Sequence, residues 1–289
     1  MPAHRSTNQR AIGLIHVRVS LILAALAAGL CLFAGCAENH VAISPTSRPA
    51  ERALTEPQSA RPERDPIAYL REVQSRCAQL AQYTLVFTRQ ERRGFLQQLT
   101  APERIACWFR RSPFSVRMKW LDPDVKYGES VYVNGQHDNK VRFVPRKGLF
   151  GGPPGINEID LMTPVVWGEA KRPLTDFGLE SMLNRTLETY DGFPGDGTAE
   201  FVGTTTLLDP PRRVYEVRIT YRTARPATPV QELYIDAETD LPVCILIKRP
   251  DGSLDAAYIY EELDGSVKLT DADFQLEYER ARASASATN

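Results

Sequence analysis

His137 is the one histidine beyond position 40, the others being His4, His16 and His40. A histidine-based triad or a histidine metal site in the body of the chain would have to be built around it. It lies in VNGQHDNKV, a polar run of turn-forming residues, and its acidic neighbour Asp138 is adjacent in sequence. Adjacent side chains on a strand point to opposite faces, so the pair makes a poor dyad. A solvated turn is the expectation. Asp122 and Asp124 flank Pro123 in LDPD, which is turn chemistry, and Glu261-Glu262 reads as the wet edge of a strand. KGLFGGPPG has glycines without the spacing of a phosphate-binding loop, and neither GxSxG, HExxH nor a glycine-rich dinucleotide signature occurs. Cys77, Cys107 and Cys244 lack the paired spacing that zinc wants. One disulfide in an oxidising compartment and a set of buried thiols both fit them. The expectation is a protein that is not an enzyme and uses no cofactor or metal.

Cys36 belongs to a different chemistry. Arg5, Arg10 and Arg18 precede the apolar run VSLILAALAAGLCLFAGC, with no acid before Glu38. That is the basic and apolar pattern of a secretory signal. Its core, Val19 to Ala34, is shorter than the roughly 20 residues of a spanning helix. FAGC resembles a lipobox, with Phe33 standing where leucine is usual, which makes Cys36 the residue to be acylated. Ala37 after it fits transfer to the outer membrane. We therefore expect residues 1–35 to be a lipoprotein signal peptide, the alternatives being an uncleaved anchor and an ordinary secreted protein. Residues 36–65, rich in Pro, Ser, Arg and Glu, form a disordered tether. A domain spans 66–280, and residues 281–289 make a disordered tail. The chain holds 35 basic and 36 acidic residues. Losing three arginines with the signal tips it further to acid, which excludes a nucleic-acid partner.

The elements that would position any site follow from periodicity. PIAYLREVQSRCAQL spaces Ile67, Leu70, Val73, Cys77 and Leu80 as one helical stripe. TDFGLESMLNRTLETY does so with Leu179, Met182, Leu183, Leu187 and Tyr190, capped by Thr175 or Asp176. Elsewhere the period is two. Phe114, Val116, Met118 and Trp120 alternate with Ser115, Arg117 and Lys119, giving a covered face and a wet one. The stretch from Pro113 to Pro145 reads as a three-strand meander with His137 in its second turn. The fold class is α+β: a curved antiparallel sheet or open β-barrel, with two main helices covering its apolar face.

On that face the sequence places Phe87, Phe109, Phe114, Met118, Trp120, Val131, Val133 and Phe143 as ligand-binding candidates. A filled core and a partly open cavity both account for them. A cavity would favour acyl chains by roughly 0.8 kcal/mol per buried CH2. Leu149-Phe150, in a glycine- and proline-rich loop, is a candidate contact with membrane or partner. A fold-back of that pair onto the domain is the alternative.

Phe87, Arg89-Gln90-Glu91-Arg92, PFSVRMKWLDP, YGESVYVNGQHDNKV and RPLTDFGLESML resemble the bacterial exported family catalogued as domain of unknown function 1571. The likeness runs from about Ile67 to Leu263. That family implies no activity and no catalytic residue. Its helix and strand order is similar to the lipoprotein-carrier fold of LolA and LolB, an open barrel that holds acyl chains under a helical lid. The resulting expectation is a non-catalytic envelope lipoprotein, facing the periplasm, that binds a lipid or lipidated partner. The alternatives are an envelope scaffold or sensor that binds another protein, and a periplasmic hydrolase.

Overall fold

A computed structural model describes residues 61–147, 154–223 and 229–281. Cys36, most of the tether, Leu149, Phe150 and the last eight residues lie outside them. Pro62 is already buried, so the folded part reaches back into the stretch read as tether.

Helix α1 spans Pro66–Gln79. Asp65 caps it, accepting from the Ile67 and Ala68 amides at 3.1 and 2.9 Å, and Pro66 opens the first turn, where its missing N–H costs nothing. Then come β1 (Gln82–Arg93), β2 (Gln98–Leu99), β3 (Glu103–Arg110), β4 (Ser115–Trp120), β5 (Tyr127–Val133), β6 (Val141–Pro145) and β7 (Asn157–Ile159). The short α2 (Thr163–Val166) and the long α3 (Leu179–Gly192) lead into β8 (Gly197–Leu207), β9 (Arg212–Tyr221), β10 (Val230–Asp236), β11 (Pro242–Lys248) and β12 (Leu254–Asp264). The strands form one open antiparallel sheet in the order β7-β6-β5-β4-β3-β1-β12-β11-β10-β9-β8, with β2 paired to β1. Each half is a meander of neighbours in sequence, and the β1–β12 pairing joins the halves. Along that seam Phe87 stands between Tyr260 and Ile105, and Ile105 faces Trp120.

The expected α+β architecture, an open curved sheet with two main helices on its apolar face, is what forms. Tyr69, Leu70, Val73 and Cys77 of α1 and Leu179, Met182, Leu183 and Leu187 of α3 are buried against Val217, Ile219, Leu233 and Ile235 of the sheet. Gln74 Nε2 donates to Asn184 Oδ1 at 2.5 Å, pinning one helix to the other.

Three details differ from the sequence reading. The cap of α3 is neither Thr175 nor Asp176, which sit in a separate 3-10 turn. The cap position is Gly178, with φ 132 and no side-chain bond, and the Leu179 amide donates instead to the Tyr83 hydroxyl at 3.1 Å. A buried tyrosine from the sheet thus satisfies a helix-end amide that a local side chain would usually take. A Cβ on Gly178 would lie 3.3 Å from the Phe109 ring in a backbone region that favours glycine. Gly178→Ala should therefore cost about 1–3 kcal/mol, read as a lower urea midpoint. An unchanged midpoint would show that the α3 entry is not constrained.

The second difference is the face opposite the helices, which is not wet beneath β3 to β6. The chain after β12 returns across it through a 3-10 turn, Asp271–Phe274. Phe274 and Leu276 there bury Val131, Val133 and Val144 in a second cluster. Arg117, read as solvent-facing, is only 2 % exposed. Its Nε donates to Glu129 at 2.6 Å, its Nη2 to Glu277 at 3.0 Å, and its guanidinium lies 4.3 Å from the Trp108 ring centre.

The third difference follows from register. Val131 pairs with Arg117, while Ser130 pairs with Met118. Val131 and Val133 therefore belong to the outer face, and their placement in the concave ligand set is corrected. Both faces of β5 are covered, so its run of apolar residues gave no period to read.

Candidate functional site

On the concave face α1 and α3 share one buried cluster with β1, β3, β4 and β9 to β12, and an opening remains beside it that is lined from β1, β12 and β4 to β7. There the segment that follows the edge strand β7, from Leu161 to Phe177, crosses the sheet and leaves a cavity of about 150 Å³. Phe87, Met118, Trp120 and Phe143 line it from the sheet, together with Tyr127, Tyr258 and Tyr260. Leu161, Pro164, Leu174 and Phe177 line it from the crossing segment, and Arg185 reaches in from α3. The walls are aromatic and aliphatic, with Phe87 stacked on Tyr260 at 5.4 Å and edge-on to Phe177 at 5.5 Å. A space of this size suits a ring or a short branch of a ligand, well below the roughly 300–1,000 Å³ of pockets that enclose drug-sized molecules.

Ionisable groups ring the cavity, and most are neutralised. Arg89 donates to Glu103 at 3.0 Å, and Glu103 also accepts from Arg93 and from the Trp120 indole at 3.1 Å. Burial alone would raise the Glu103 pKa, but Arg89 and Arg93 outweigh it and hold the carboxyl below its usual range. Glu91 accepts from the Tyr258 hydroxyl at 2.7 Å. Glu169 takes Lys126 and the Tyr127 hydroxyl.

Of the eight apolar candidates from the sequence, Phe87, Met118, Trp120 and Phe143 meet at the cavity. Phe109 and Phe114 pack in the helix-covered core, with Phe109 stacked 4.6 Å from Tyr83. Val131 and Val133 lie on the other side of the sheet.

His137 sits in a 3-10 turn between β5 and β6 with φ 49. It is exposed, and its Nε2 is 3.2 Å from Arg142 Nη1. A cation rather than a carboxylate stands beside the imidazole, the reverse of what a general base needs. The three cysteines are buried free thiols. Burial pushes those of Cys77 and Cys244 up to about 12, which keeps them protonated and unreactive. Among the described residues no group of three or more His, Cys, Asp or Glu is placed to hold a metal ion, and no helix is long and apolar enough to cross a membrane.

Sequence reasoning passed over a second apolar feature beside the cavity. Phe95 is fully exposed at the β1–β2 turn and Trp167 is 62 % exposed after α2. The two turns touch: a Cβ on Gly168 would lie 3.6 Å from Gly94, and Arg93 donates to the Glu169 carbonyl. RRGFLQQ and TPVVWGE have no period that marks them, and only the tertiary approach of two loops makes them one patch.

A family model described as "Protein of unknown function (DUF1571)" matches residues 80–283. No curated protein matches the chain in sequence. Among solved structures, the chain is similar to MucB, with 16% identity and a TM-score of 0.44, over 72% of this chain and 61% of MucB. The chain thus spans under two thirds of that protein's length. A LolA superfamily protein from Nitrosomonas europaea matches at 9% identity and a TM-score of 0.34, over 73% of this chain and 97% of its own. The Mycobacterium tuberculosis lipoprotein LppX matches at 11% identity and a TM-score of 0.39, over 71% of this chain and 100% of its own.

Proposed function

The chain belongs to the DUF1571 family, and from that premise we propose a function read from its own site: non-catalytic binding of a lipid or lipidated partner on the concave face of the sheet. The observation that supports this reading is the aromatic cavity left between the crossing segment and the concave face of the sheet. Phe87, Met118, Trp120 and Phe143 would contact the apolar chain of the ligand, each buried CH2 contributing roughly 0.8 kcal/mol.

The cavity as it stands is too small for a whole acyl chain, so binding requires the crossing segment to lift. From Pro154 to Phe177 that segment contributes no fully buried residue. Segments with so few buried contacts open at low cost. In this reading a chain enters by displacing the 154–177 segment, β7 included, from β4 to β6. A fluorescent fatty-acid analogue titrated into the protein should saturate, with unlabelled lipid displacing it. Phe143→Asp, which puts a charge on the cavity wall, should abolish that signal while circular dichroism stays unchanged. Saturable binding that survives Phe143→Asp would move the ligand away from this cavity.

A scaffold or sensor that binds another envelope protein is the second reading. The small volume of the cavity and the exposed patch of Phe95, Leu96, Val166 and Trp167 favour it. Leu149-Phe150, immediately before the crossing segment, is proposed as a further contact with membrane or partner.

The same proposal anchors the protein to the envelope, facing the periplasm, through lipidated Cys36. Cys36→Ser should eliminate incorporation of labelled palmitate and leave the precursor unprocessed, as seen by gel shift. Continued labelling of that variant would refute the lipobox reading.

A further inference from the structure

Among the charged groups that line the cavity two cations stand out. Arg185, half-buried on α3, donates from Nη1 to the backbone carbonyl of Asp176 at 2.8 Å. Arg172, on the crossing segment, is exposed to solvent on the rim of the same cavity. Among the described residues neither has a carboxylate within ion-pairing distance. By contrast, the lining residue Arg89 is paired to Glu103 at 3.0 Å, and the lining carboxylate of Glu169 is taken by Lys126. The Asp176 carboxylate also lines the cavity without forming an ion pair, so it offsets the field at Arg185 only in part. The Tyr260 ring lines the cavity beside Arg185, and among the described residues its hydroxyl has no hydrogen-bond partner.

A half-buried guanidinium with a second one nearby and no ion-paired carboxylate is an unfavourable arrangement for an empty site. Burial is the main effect lowering the Arg185 pKa, and Arg172 adds to it. An anion between the two would offset both effects. Guanidinium forks match carboxylate and phosphate oxygens with charge-assisted hydrogen bonds. Beside them the wall is the apolar surface of Phe87, Met118, Trp120 and Phe143.

We propose that the ligand of this cavity is an amphiphile with an anionic head, held between Arg172 and Arg185 with the Tyr260 hydroxyl donating to it, and with its apolar chain on Phe87, Met118, Trp120 and Phe143. The inference rests on the apolar-ligand reading above and adds the chemical class. The head is a carboxylate or a phosphate monoester, since both fit two guanidinium forks.

Isothermal titration of the purified protein with dodecanoate, dodecyl phosphate and dodecanol separates the parts of this argument. One or both anions should bind about tenfold or more tightly than dodecanol, the size expected of a charge-assisted contact. The stronger of the two identifies the head. Arg172→Gln and Arg185→Gln should each reduce that preference, and the double variant should bind all three ligands alike. Arg172 is exposed, so its single variant tests the point even if Arg185→Gln unfolds. Equal binding of dodecanol and both anions by the unaltered protein overturns the inference. So does a preference that survives Arg172→Gln in full. Failure of all three to bind overturns the apolar-ligand reading itself.

Discussion

Arg117→Ala should destabilise the protein by about 3–5 kcal/mol, more than any other single truncation on the outer face, because it leaves a buried carboxylate without its partner. Glu129 is 6 % exposed, and its two oxygens are engaged by Arg117 Nε at 2.6 Å and by the Glu277 amide at 2.8 Å. Arg117 Nη1 also donates to the Asp273 carbonyl at 3.3 Å. One side chain on β4 thereby fixes both the β4–β5 pair and the returning C-terminal segment. Removing it strips the charge-assisted bonds and the stacking on Trp108 together. A double variant, Arg117→Met with Glu129→Leu, removes both charges and should recover most of the loss. Urea unfolding of the three proteins measures this. If Arg117→Ala shifts the midpoint no more than an exposed substitution does, under about 0.5 kcal/mol, the C-terminal segment does not cover β4 to β6.

The second large effect is expected at Trp120. The ring is 6 % exposed, it lines the cavity, and its indole N–H donates to Glu103. Trp120→Ala should cost about 3–5 kcal/mol, the range for removing a buried aromatic. It should also weaken binding of the fatty-acid analogue, because one residue serves both packing and lining. Loss of stability with unchanged probe binding would contradict the assignment of this cavity as the ligand site. The same contact carries a pH dependence. The folded-state pKa of Glu103 is depressed by Arg89 and Arg93 against the opposing effect of burial. Its contribution is present above the ordinary carboxylate range and is lost as pH falls through the lower folded value. Part of the acid sensitivity below about pH 4.5 should therefore disappear in Glu103→Gln.

Much of the fold was legible because its signals are local. The stripe of Leu70, Val73 and Cys77 and that of Leu179, Met182, Leu183 and Leu187 have helical spacing, and the two helices form on those residues. Phe114 to Trp120 alternates strictly, and β4 follows. Four of the eight concave candidates meet at the cavity for the same reason. The misplaced pair, Val131 and Val133, shows where periodicity stops. The neighbours Val131, Tyr132 and Val133 are all buried because the C-terminal segment covers the second face, and that cover begins more than a hundred residues later in the chain. Arg117 misled in the same way: a charged residue at an alternating position reads as wet unless its distant partners Glu277 and Asp273 are known. The Gly178 cap escaped notice because its hydrogen-bond partner, Tyr83, lies on another element. The two cavity arginines were equally hidden, since nothing in RPLTDFG or LNRT separates an unpaired guanidinium from a solvated one. Only the crossing of one segment over the sheet brings them to the same space.

The central claim, a ligand with an apolar chain bound on the concave face, is tested most directly by native mass spectrometry of the protein purified without delipidation. The account predicts a noncovalent adduct of lipid mass at one per chain, lost on organic extraction and absent from Phe143→Asp. A single mass with no releasable lipid, in the unaltered protein purified under mild conditions, would contradict it and leave the exposed Phe95 and Trp167 patch as the working surface.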